Sequence, residues 1–113
     1  MNLGVWMSRG VLAHKRGDDS PQAWNLKSLP DELSQPPEPH RLFIATEGFW
    51  RGYFVLEPYV SCNFADTVRP WTLVFNPASW TEISREPAPP RDRKLGYTLE
   101  VPELPLTQED GTR

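Results

Sequence analysis

Thirteen prolines punctuate a chain of 113 residues, and no other feature restricts the fold as much. Proline lacks a backbone donor and interrupts both helix interiors and central strands, so the chain must be built from short elements joined by irregular loops. A long helical bundle is excluded. The length suits one domain, expected over residues 1–102, with residues 103–113, "ELPLTQEDGTR", as a polar C-terminal tail. A chain of this size buries roughly two thirds of its unfolded surface, enough for one modest core without metal or disulfide staples. Five Trp, five Phe and three Tyr supply much of that core.

Between the prolines the dominant period is two. Leu3, Val5 and Met7 alternate with Gly4 and Trp6, the pattern of a strand. In "RLFIATEGFWRGYFVLEP", Leu42, Ile44 and Thr46 alternate with Phe43 and Ala45, and Tyr53, Val55 and Glu57 with Phe54 and Leu56. Both faces are largely apolar, as in strands covered on two sides. Glu47, Gly48, Phe49 and Trp50 make the connection of a β-hairpin, with Gly48 free to adopt a positive φ.

"PWTLVF" reads as another buried strand. "NPASWTEI" opens like a short helix, with Asn76 as N-cap and Pro77 at the first helical position. "GYTLEV" reads as the last strand, with Tyr97, Leu99 and Val101 on one face. "SRGVLAHKRGDDSPQ" reads as a long exposed loop, "REPAPPRDRK" from Arg85 as a proline-rich charged loop, and Pro30–Leu33 as a possible helical turn. The sum is a mostly β, α+β chain of five or six short strands with one or two short helices. Closing such a sheet into a small barrel removes exposed edges.

An early strand, the "AWNLKSLP" segment, the "RLFIATEGFWRGYFVL" hairpin with its Gly-x-x-x-Gly-Tyr corner from Gly48 to Tyr53, and the "PWTLVFNPASWTEI" unit resemble the small PUA-like proteins that include ASCH domains. The resemblance implies a PUA-like pseudobarrel with a cleft for RNA or a modified base. In some ASCH-type members it implies amidohydrolase activity on acylated cytidine through a lysine, a threonine and a glutamate. Where those members carry a Gly-x-Lys-x-x-Glu-x-Arg stretch, this chain reads "SRGVLAHKRGDDS", so no catalytic residue is carried over.

Twelve Lys and Arg against fifteen Asp and Glu leave a net charge of −3, which is not the footprint of a chain basic throughout. A local basic patch remains open. Arg9, Lys15 and Arg16 on one segment are candidate phosphate contacts, offset by Asp18 and Asp19. Trp24, Phe49, Trp50 and Arg51 are the residue types that stack on bases and read their edges, although large aromatics are more often spent on packing. Partners of this chemistry are RNA, DNA or a base-like ligand. A second class is a protein partner docked through the proline-rich loops, and a third a small hydrolase of modified nucleosides.

Cys62 has no internal disulfide partner and no basic neighbour that would activate it. His14 and His40 lack zinc-ligand spacing, and no phosphate loop, dinucleotide fingerprint or nucleophile elbow is present. No cofactor or metal is expected. Lys27 with Glu47 or Glu82 has the chemistry of an acid-base pair, but no spacing selects it. No segment has the length or pattern of a membrane span or signal peptide, so a cytoplasmic setting is expected.

Overall fold

The computed structural model describes residues 2–17, 20–28, 40–63, 65–66 and 68–102. Six strands form one mixed sheet: β1 (Asn2–Trp6), β2 (Gln22–Leu26), β3 (Arg41–Thr46), β4 (Phe49–Cys62), β5 (Trp71–Phe75) and β6 (Thr81–Pro87). Among the described residues one helix, α1 (Arg9–Arg16), follows β1, and a 3₁₀ turn, Pro77–Ser79, separates β5 from β6. The fold is mostly β with a minor helical part. The strand order is β1-β3-β4-β5-β2, with β6 added to β4. β1 runs parallel to β3, and the other pairings are antiparallel. Among the described residues β1 and β2 end the order without pairing to each other.

β4 organises the molecule. Its first half lies between β3 and β6, while its second half pairs with β5 from Leu56 opposite Phe75 to Cys62 opposite Trp71. β5 and β6 thus follow one another along the same side of β4, and the 3₁₀ turn fills the gap between them. There Val55 N donates to Ser79 Oγ at 2.9 Å, so a side chain substitutes for a missing ladder bond, and the same hydroxyl donates to Asn76 O at 2.6 Å. Buried backbone donors need such partners wherever a ladder breaks.

The period-two pattern sorts side chains onto two faces. Leu3, Val5, Leu42, Ile44, Phe54, Leu56, Leu73 and Phe75 belong to the main cluster, and Phe54 stacks on Phe75 with centroids 4.3 Å apart. On the opposite face Phe43, Ala45 and Trp50 form a second, smaller cluster with Trp6, Tyr53, Ile83 and Val101 packed around it. Gly4 belongs to this face: a Cβ there would collide with the Trp50 ring and Val101.

Several expectations are corrected. The segment read as a long exposed loop contains α1, because Ser8 caps it through a bond from Val11 N and Leu12 anchors it in the main cluster. "AWNL", to which no element was assigned, is most of β2, held antiparallel to β5. The "NPASWTEI" helix stops after one 3₁₀ turn. Asn76 caps it as expected through a bond from Ala78 N, but Thr81 onward is drawn into β6 by pairing with β4. β6 also takes Arg85, Glu86 and Pro87 out of the expected loop.

"GYTLEV" is not a strand. It contributes one isolated bridge, Thr98 to Gly4, and Leu99 is 48% exposed. Local bonds from Glu100 N to Thr98 Oγ1 and from Val101 N to Leu99 O turn the chain out of register. The expected turn at Pro30–Leu33 and the tail at 103–113 lie outside the described residues.

Candidate functional site

A cleft of about 580 Å³ opens where the two hydrophobic clusters meet, beside the β3–β4 hairpin. Three elements wall it. The first is α1, whose Arg9, Leu12, Ala13 and Arg16 follow the i, i+3, i+4, i+7 spacing of one helix face. Buried Leu12 seats the helix, and that leaves the two arginines flanking the opening. Lys15 falls on another face, and its Nζ donates to Ala23 O of β2 at 2.9 Å. It is therefore not brought to the cleft.

The hairpin is the second wall. Its turn is shorter than expected: Glu47 and Gly48 alone reverse the chain, with φ of 55° and 85°, the pair of positive angles that matches the twist of the flanking strands. Phe49 and Trp50 already belong to β4. Between Trp50 and Gly52 the register shifts against both β3 and β6, and Arg51 is paired in neither ladder. Bulges of this kind re-aim a side chain. Arg51 lines the cleft, its Nε donating to Thr46 O at 3.4 Å and its Nη2 approaching Glu47 Oε1 at 3.4 Å.

Trp50 forms part of the floor but is only 2% exposed. Its ring packs edge-on against Phe43 at 6.2 Å and covers Gly4, so no open indole face remains for a ligand. Phe49 is half-buried with Arg85 Cζ 5.2 Å above its ring, and it does not line the cleft. Trp24, on β2, does not line the cleft; it pairs with Leu73 of β5 and packs on the main cluster.

The third wall runs from Trp80 into β6 and carries Glu82, Ile83 and Arg85. Trp80 packs on Phe54 at 4.8 Å and lies under the Arg16 guanidinium at 5.1 Å. Gly52 makes this possible, since a Cβ there would strike Thr81 O and the Trp80 ring. Arg16 also reaches Glu82 Oε2 at 3.8 Å and so ties α1 to β6.

Four arginines, Arg9, Arg16, Arg51 and Arg85, therefore meet two glutamates, Glu47 and Glu82, around one opening. The ion pairs are long, 3.4 to 3.9 Å, and exposed, and such pairs hold by only about 0–1 kcal/mol each. The guanidiniums are thus available to a stronger anion. Two polar atoms on the walls, Thr46 Oγ1 and Trp80 Nε1, are buried with no protein hydrogen-bond partner, an arrangement that costs free energy unless something else satisfies it. Guanidinium groups present planar, fixed donors, a geometry suited to phosphate and carboxylate.

Of the seven candidate residues, Arg9, Arg16, Trp50 and Arg51 come together here, while Trp24, Phe49 and Lys15 do not line the cleft. The paired use of Lys27 with Glu47 or Glu82 is not realised, because Lys27 Nζ donates to Arg93 O at 2.7 Å. Thr46, Trp80 and Arg85 were not signalled. Their nearest sequence trace is the Trp-x-Glu-Ile-x-Arg alternation from Trp80 to Arg85. Among the described residues no three His, Cys, Asp or Glu side chains gather to hold a metal ion, and no helix is long and apolar enough to cross a membrane. No family model, no curated protein and no solved structure matches this chain.

Proposed function

We propose that this protein is a small nucleic-acid-binding module whose arginine-lined cleft takes a phosphate-bearing, base-like ligand. The observation that carries the reading is the convergence of Arg9, Arg16, Arg51 and Arg85 on one cleft in a chain of net charge −3. An acidic chain that gathers four of its twelve Lys and Arg at one concave place offers a local anion site rather than a general basic surface. Trp80, half-buried under Arg16, supplies the aromatic group beside it, the pairing that serves single-stranded bases. A mostly β fold with a ligand cleft is also what the PUA-like resemblance implies.

The test is fluorescence titration with short RNA and DNA strands between about 50 and 200 mM salt. The expected result is quenching that weakens as salt rises, is reduced in Trp80→Phe and is lost in the double variant Arg51→Gln, Arg85→Gln. Absence of salt-sensitive binding to either nucleic acid overturns the reading.

A second reading, docking of a protein partner, is favoured by a shallow groove on the other side of Trp50. Pro87, Pro89 and Pro102 line it with Glu86 and Glu100, an apolar and acidic surface suited to a basic peptide. A stoichiometric protein partner that competes with no oligonucleotide would support it.

A further inference from the structure

The arrangement of charges in the cleft also bears on which phosphate it takes. Arg9 Nε and Arg51 Nη2 approach one and the same atom, Glu47 Oε1, at 3.9 and 3.4 Å. An anionic oxygen is thus already held between a guanidinium from α1 and one from β4. Glu47 occupies a left-handed position with φ of 55°, at the turn position where Asn, Asp or Gly is the usual choice. A bulky residue there carries a backbone cost and is best understood through its side chain.

That side chain is 56% exposed and its partner Arg9 76% exposed, so the carboxylate is held loosely and is replaceable by a ligand oxygen. Four arginines less two glutamates leave the lining with an excess of two positive charges. A terminal phosphate monoester carries about 1.5 to 2 negative charges at neutral pH and three acceptor oxygens. An internal phosphodiester carries a single charge and only two non-bridging oxygens.

The guanidiniums come from α1, β4 and β6, surrounding the opening rather than running along a track. Thr46 also lines the cleft, but its unpartnered hydroxyl is buried behind the wall, so the arginines alone carry the contact. A volume of about 580 Å³ lies in the range of small-molecule sites and suits one nucleotide better than a run of them.

We propose that the cleft recognises the terminal phosphate of a nucleic-acid strand together with its nucleoside, and that Glu47 is the built-in competitor the phosphate displaces. This rests on the reading of the cleft as a nucleic-acid site. It is tested by anisotropy with labelled strands of about ten nucleotides, identical in sequence and ending in a 5′-phosphate, a 3′-phosphate or hydroxyls only.

One phosphorylated end is expected to bind at least about tenfold tighter than the hydroxyl-ended strand, the discrimination that one charge-assisted contact supplies. Glu47→Gln is expected to tighten binding of that strand several-fold and to leave the hydroxyl-ended strand weak, whereas Arg51→Gln removes the preference. Equal affinity for all three strands overturns the terminal-phosphate inference and leaves nucleic-acid binding standing. Binding of none overturns both. A phosphoserine peptide that binds more tightly than the phosphorylated strand overturns the assignment to nucleic acid.

Discussion

The two faces of β3 and β4 are built by the same alternation and end in different structures. On one face Leu42, Ile44, Phe54 and Leu56 meet β1, β5 and α1 in a continuous cluster of buried side chains. On the other, Phe43, Ala45 and Trp50 are the only buried members among the described residues, ringed by half-buried neighbours. The first face is a core in the ordinary sense. The second stops short, and at the line where it stops the chain has placed arginines instead of leucines. Apolar packing sets the walls of the cleft, and the incomplete layer leaves room for it.

The comparison breaks first at Phe54. Phe54→Ala removes a ring that touches both Phe75 and Trp80, and it is expected to cost about 3–5 kcal/mol in urea unfolding. Gly4→Ala strikes the thinner cluster, where the new methyl meets the Trp50 ring and Val101. A loss of about 1–3 kcal/mol is expected, with a changed near-ultraviolet tryptophan signal. If Gly4→Ala cost more than Phe54→Ala, the ranking of the two faces would be reversed.

Ser8→Ala sharpens the contrast, because it removes the cap of the helix that carries Arg9 and Arg16. It is expected to cost about 1 kcal/mol and to weaken anion binding more than its effect on stability would suggest. The smallest effect lies away from both faces. Backbone N–H groups of Arg69 and then Val68 donate to the Asp66 carboxylate and hold its pKa below the ordinary 3.8. Its contribution is complete above the ordinary value and is lost as pH falls through the depressed one. Hydrogen exchange at the Val68 and Arg69 amides should therefore gain protection with rising pH through this range in the native chain, and should not in Asp66→Ala.

Residues with two-fold alternation were legible: Leu3 to Met7, Leu42 to Thr46 and Trp71 to Phe75 fold as their patterns indicate. The alternation of "GYTLEV" made only one bridge, and β2, α1 and β6 were not legible. α1 buries only Leu12 and carries Gly10 within its first turn, so it shows no apolar stripe and is stabilised by its cap and its seat on the core. β6 reads "TEISREP" and is mostly exposed. Its strand character comes from the unpaired edge of β4, not from its own residues.

The site was half legible for a related reason. Arg9, Arg16 and Arg51 stand out as cations beside aromatic or turn residues, but Arg85, Trp80 and Thr46 join them only through the bulge at Arg51 and the strand exchange at Ser79. Register shifts of one or two residues, as here against β3 and β6, leave no mark in composition. The burial of Trp50 had the same origin, since Gly4 opposite it is what admits the ring.

The parallel pairing of β1 with β3, and the bond pair between Gly4 and Thr98, also constrain how the molecule comes into being. β1 precedes both of its partners in the chain, β3 beginning at Arg41 and the bridge residue Thr98 lying far beyond it. At a synthesis rate of roughly 5–20 residues per second, Thr98 follows Gly4 by roughly 5–20 s. During that interval the Thr98 side of β1 is without its native partner, and only the β3 side can close.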